Sequence, residues 1–142
     1  MKTKKILPLL IFSAFSLLIS CKDAGEITAI DGINVNVKNS PSVANVKNSL
    51  SFSVKGEMYN AALEYNVSFE KTEFDMALAI TNLTAGSITI QVYNSTKQML
   101  YTRDFPDKIS LAQTVTLEEF PTKIKFIFNN FTGDFSSAMS VK

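Results

Sequence analysis

The chain has 142 residues, with 14 basic and 13 acidic side chains, one cysteine, and no histidine or tryptophan. That length suits one domain rather than two, and the missing histidine excludes a Ser-His-Asp triad, His-ligated zinc and the ordinary neutral-pH base. A charge so near balance offers no basic footprint for nucleic acid.

In chain order, Lys2, Lys4 and Lys5 form a positive start, and Ile6 to Ile19 then runs uncharged and mostly apolar. As a helix this 14-residue run reaches roughly 21 Å, short of a hydrocarbon core of about 30 Å. It is therefore read as the h-region of a signal peptide covering residues 1–20. Directly after it, Leu18, Ile19 and Ser20 place two branched apolar residues and a small one before the only cysteine, Cys21. This resembles the lipobox of bacterial lipoproteins. The resemblance implies that the Cys21 thiol is alkylated with diacylglycerol, that the chain is cut between Ser20 and Cys21, and that the mature protein is lipid-anchored in the cell envelope, at the outer membrane.

Removing the three lysines leaves 11 basic against 13 acidic residues, so no polybasic patch supplies membrane affinity. Acyl chains such as palmitate would supply it, at roughly 0.8 kcal/mol per buried methylene. Lipidation of Cys21 also uses the only thiol, which excludes disulfides, thiol catalysis and sulfur-ligated metals.

Residues 21–48 are polar and lack Phe and Tyr, and are read as a tether. Asp23 and Glu26, just after the cysteine, are similar to the surface-export signal of Bacteroidota lipoproteins; surface and periplasmic display are both compatible with the sequence. Ile27 to Val37 around Asp31-Gly32 is a candidate short hairpin, since Asp-Gly supplies the positive φ angles of a type I′ turn. The words Asn36-Val-Lys-Asn-Ser40 and Asn45-Val-Lys-Asn-Ser49 are identical. Two copies are too few for a solenoid, and they are read as a duplication of little consequence.

From residue 49 to 142 a period of two dominates. Leu50, Phe52 and Val54 alternate with serines; Leu63, Tyr65, Val67 and Phe69 alternate with Glu64, Asn66, Ser68 and Glu70. Phe74, Met76, Leu78 and Ile80 follow, then Ile88, Ile90 and Val92, a polar turn from Asn94 to Lys97, and Met99 to Phe105. Leu111 to Leu117 is a further candidate, and Lys123 to Phe131 is expected to turn at Thr132-Gly133-Asp134 into Phe135 to Val141. Alternation of this kind places one face on a core and the other in water. The expectation is an all-β antiparallel β-sandwich of seven or eight strands, with Ile124 to Phe128 on a central strand buried on both sides.

Gly86 to Tyr101 looks like a hairpin common in immunoglobulin-like bacterial surface domains, and Phe126 to Phe135 is similar to the closing hairpin of small Bacteroidota lipoproteins with one β-sandwich. The resemblance implies a fold and a habitat and assigns no binding residues.

No catalytic constellation emerges, so the chain is read as a non-enzyme that needs no cofactor. Glu64 and Glu70, six residues apart on one strand face, would stand roughly 20 Å apart, too far for a glycosidase pair. Glu118 and Glu119 would point to opposite faces. Asp104 and Asp107 give too few oxygens for calcium, and no metal site is expected. Tyr93, opposite in facing to Ile88, Ile90 and Val92, is a candidate ligand-facing aromatic, and Tyr101 on the partner strand is expected to share its face. The expected role is a non-enzymatic binding or structural module. Its partners would be the membrane, through the N-terminal lipid, and an unknown protein or glycan. The alternatives are a glycan-binding accessory lipoprotein and an inhibitor or protective partner of an envelope enzyme.

Overall fold

The computed structural model describes residues 37–142. The signal peptide, the lipobox residues Leu18, Ile19 and Ser20, Cys21, and nearly all of the candidate hairpin lie outside the described residues. Six strands and no helix occur among those described: β1 (Ser42–Val46), β2 (Ser49–Asn66), β3 (Glu73–Tyr93), β4 (Met99–Phe105), β5 (Ile109–Thr116) and β6 (Lys123–Ser140). All pairings are antiparallel, in the order β1-β2-β6-β3-β4, with β5 on the first half of β3 and β4 on the second.

One sheet becomes two layers because its three long strands bend. Phe52 pairs with Ser137 and Phe126 with Leu63. Eleven residues of β6 separate Ser137 from Phe126, about 36 Å along a straight strand. Yet the Phe52 and Phe126 rings stack with centroids 4.6 Å apart. The sheet therefore doubles over, and the sandwich core lies between its halves.

The bends share one line across the sheet. Register breaks fall between Gly56 and Ala61 on β2 and between Thr81 and Ser87 on β3. Met58, Asn82 and Asn130 take left-handed φ angles of 48°, 51° and 48° there. Backbone groups released by such breaks need other partners. The Met58 amide donates to the Thr132 hydroxyl at 2.9 Å, and the Asn130 amide donates to the Asn60 carboxamide oxygen at 2.8 Å. The Asn82 side chain donates to Asp134 at 2.6 Å.

The all-β sandwich agrees with the periodicity, but the seven or eight strands expected after the tether are five, β2 to β6. Thr132-Gly133-Asp134 reads as a turn, yet it lies within β6 at the bend, so Phe126 to Phe135 is no hairpin. β6 is central, as expected, but buried on one face only. Ile124, Phe126 and Phe128 point inward, while Lys123, Lys125 and Ile127 lie half-buried on the other face.

The expected domain boundary at residue 49 also moves. β1 lies inside the stretch read as tether and pairs with Ser49 to Ser53 of β2. Every residue of β1 is exposed, Val46 to 64%, so core burial does not hold it. Its ladder with β2 does, and the duplicated word fastens the chain on either side of it. In its first copy, the Asn39 amide donates to the Lys55 carbonyl at 2.8 Å, and the Asn39 carboxamide exchanges hydrogen bonds with both backbone groups of Glu57. Lys38 pairs with the Glu57 carboxylate. The second copy repeats this: the Asn48 amide donates to the Ser68 carbonyl at 3.1 Å, Asn48 bonds the Glu70 amide and carboxylate, and Lys47 pairs with Glu70 at 2.6 Å. Both asparagines sit at left-handed φ, 60° and 62°, which Asn tolerates better than most residues. The repeat is two equivalent clasps on one edge strand.

Hydrogen bonds from Lys47 and then Asn48 hold the Glu70 carboxyl below its usual value of 4.5, with the Lys47 charge adding to the effect. A carboxyl whose pKa is lower in the folded than in the unfolded state contributes its stability above the unfolded value and loses it as pH falls through the folded one. Amide resonances of Asn48, Glu70 and the end of β1 should therefore shift together as the pH falls below the ordinary carboxylate value of 4.5. Glu70→Gln should remove that response, and its persistence in the variant would place the titration elsewhere.

Candidate ligand-binding face

The solvent-facing side of the second layer carries the polar residues of β2, β6 and β3 in register. Glu64 pairs with Lys125, which pairs with Gln91; one row further, Asn66 pairs with Lys123 and Lys123 with Tyr93. Alternation dictates this: Ile88, Ile90 and Val92 are buried, so Gln91 and Tyr93 point outward.

Tyr93 lines a cleft of about 180 Å³ with Glu64, Asn94, Lys97 and Lys123. Its hydroxyl donates to the Gln91 side-chain oxygen at 2.7 Å, tying the phenol along the strand. Lys123 and Lys125 share one carboxylate, reaching Glu64 at 2.7 and 3.2 Å. The hydrogen bond from Lys123, followed by that from Lys125, holds the Glu64 carboxyl below the usual carboxylate range. Lys97 occupies a left-handed φ of 67° in the β3–β4 turn and has no carboxylate partner among the described residues.

Asn94 is the rigid floor of the cleft, 4% exposed. Its carbonyl oxygen accepts from the Thr96 amide, the Thr96 hydroxyl and the Gln98 amide at 2.8–3.1 Å. Its side-chain nitrogen donates to Glu119 at 2.7 Å. The carboxamide thus performs the closure that Asp-Gly would give a two-residue hairpin, and its hydrogen-bonding capacity is spent inside the protein.

Tyr101 does not join Tyr93. It pairs with core residue Val92, whereas Tyr93 pairs with Met99, because a bulge at this point adds one residue to β4. One extra residue reverses the facing of the side chains. Tyr101 packs against the core, and its hydroxyl accepts from Gln113 at 3.3 Å. Gln113 in turn accepts from Arg103 at 2.9 Å, so Tyr101 belongs to a latch between β4 and β5. Met99 replaces it beside Tyr93, 48% exposed.

Glu70 and Asp104 are engaged elsewhere. Glu70 belongs to the second clasp, and Asp104 accepts from the Thr89 hydroxyl at 2.6 Å. Among the described residues no three His, Cys, Asp or Glu side chains gather as metal ligands. Lys97 and Lys123 escaped the sequence reading because their approach to Tyr93 depends on cross-strand register and turn shape.

No family model matches the chain, and no curated protein matches it. Among solved structures it is similar to one described as "Bacillus endospore appendages form a novel family of disulfide-linked pili". The identity is 14%, over 71% of this chain and 92% of that one, with a TM-score of 0.44. It is also similar to "CsCBM6-3 from Clostridium stercorarium in complex with cellobiose", at 11% identity over 70% of this chain and 79% of that one, with a TM-score of 0.30. Neither likeness bears on what this chain binds.

Proposed function

We propose that this chain is a lipid-anchored cell-envelope protein whose β-sandwich acts as a non-enzymatic binding or structural module. The observation that carries the reading is the position of the one cysteine, Cys21, at the end of the apolar run and directly after Leu18, Ile19 and Ser20. Support for a non-catalytic role comes from the carboxylates. Glu64, Glu70 and Asp75 are all held below the usual carboxylate range by hydrogen bonds, from Lys123, Lys47 and Thr114 first. A general acid at neutral pH needs the opposite shift.

Metabolic labelling with palmitate tests the anchor. Wild-type protein should carry label and lose residues 1–20, and Cys21→Ala should do neither. Label retained by the variant would end the proposal.

A second reading, a glycan-binding module, is favoured by the cleft. It combines one aromatic ring tied down beside a few convergent polar groups, the pattern of small-ligand sites. Tyr101 takes no part in it.

A further inference from the structure

We infer that the cleft beside Tyr93 binds one ring of an acidic saccharide, with the Tyr93 ring against the sugar face and Lys97 and Lys123 on its carboxylate. This rests on the glycan reading and narrows it.

Size comes first. At about 180 Å³ the cleft lies below the roughly 300–1,000 Å³ of drug-sized sites, so it admits a single ring of a longer chain. Tyr93 gives that ring an apolar surface, and the bond to Gln91 fixes the phenol before any ligand arrives. Fixing an aromatic in advance lowers the ordering cost of binding.

Charge then selects the class of sugar. The Asn94 carboxamide is engaged, its oxygen by three donors and its nitrogen by Glu119 at 2.7 Å and the Gln98 oxygen at 3.5 Å, so ligand hydroxyls cannot rely on it. The remaining donors are ammonium groups. Lys123 and Lys125 face the single carboxylate of Glu64, and Lys97 brings a further charge from the turn. Even counting Glu119 behind Asn94, three cations stand against two anions. A neutral sugar would leave that surplus unanswered, whereas a carboxylate gains charge-assisted hydrogen bonds.

The turn supplies a clean test residue. Asn at position 97 tolerates the left-handed φ and removes the charge, so Lys97→Asn should fold as wild type does. NMR titrations would use trigalacturonic acid, maltotriose as the neutral sugar, and triglutamate as an acid without a sugar ring. Trigalacturonic acid should shift resonances of Tyr93, Lys97 and Lys123, with affinity falling as salt rises from about 20 to about 300 mM. Lys97→Asn and Tyr93→Ala should each weaken it about tenfold.

Equal binding of maltotriose would overturn the acidic class and leave the glycan reading standing. Equal binding of triglutamate would overturn the saccharide. Silence from all three at this cleft would overturn both the inference and the glycan reading.

Discussion

Phe126→Asp should abolish cooperative unfolding of the domain, while Phe126→Leu should leave it folded but weaker. Phe126 is 0% exposed and its ring meets three others, Phe52 at 4.6 Å, Phe135 at 5.8 Å and Tyr65 at 6.2 Å. These partners come from both layers, so position 126 sits where the halves of the folded sheet meet. Truncating such a ring alone costs about 3–5 kcal/mol, and an unpaired carboxylate among phenyl rings adds several more. A domain of this size has about 5–15 kcal/mol in total. The leucine variant loses the ring contacts without burying charge, at a cost of about 1–3 kcal/mol. Urea denaturation followed by circular dichroism separates the cases, since the chain has no tryptophan to report. A cooperative transition at the wild-type midpoint in the aspartate variant would mean that residue 126 does not face the core.

The inward residues were legible because a half-buried strand leaves a period of two in its sequence. Leu50, Phe52 and Val54, Phe74 to Ile80, and Ile88 to Val92 are all buried on the alternate positions expected. Continuity was not legible. Gly, Asn and Thr mark a bend within a strand as readily as a turn between strands, so Thr132 to Asp134 reads as a turn although it lies inside β6. What distinguishes the cases is the register on both sides, and that is set by partners dozens of residues away.

The same limit hid the two other features of the molecule. The repeated Asn-Val-Lys-Asn-Ser gains its meaning only from Glu57 and Glu70, 18 and 22 residues further on from the asparagines that hold them. Tyr93 was placed correctly because its facing follows from its own strand. Tyr101 was misplaced because its facing depends on a bulge, and a bulge leaves no mark in a period of two when the neighbouring Leu100 and Tyr101 are both large.

Gly86→Ala should destabilise the protein by about 3 kcal/mol, although alanine at most strand positions is a mild change. Gly86 has a φ of +80°, and a Cβ there would lie 2.3 Å from the Asn129 carbonyl oxygen and 2.4 Å from that of Asn130. Both obstacles are backbone of the central strand, at its own bend, and neither can rotate away. Relief requires β3 to move off β6 where the sheet doubles over, which would open the ladder beside Phe128 and Phe131, both buried in the core. Asn82 provides the contrast. It has a φ of 51° on the same strand, but Asn82→Gly removes a hydrogen bond to Asp134 and no steric fit, so a loss of about 1 kcal/mol is expected. Urea midpoints of the two variants compare the loss of this close packing with the loss of one hydrogen bond at the same bend. A Gly86→Ala loss no larger than that of Asn82→Gly would mean that the β6 carbonyls yield to the added methyl, and an unchanged Gly86→Ala would mean that the bend in β3 is not held against β6.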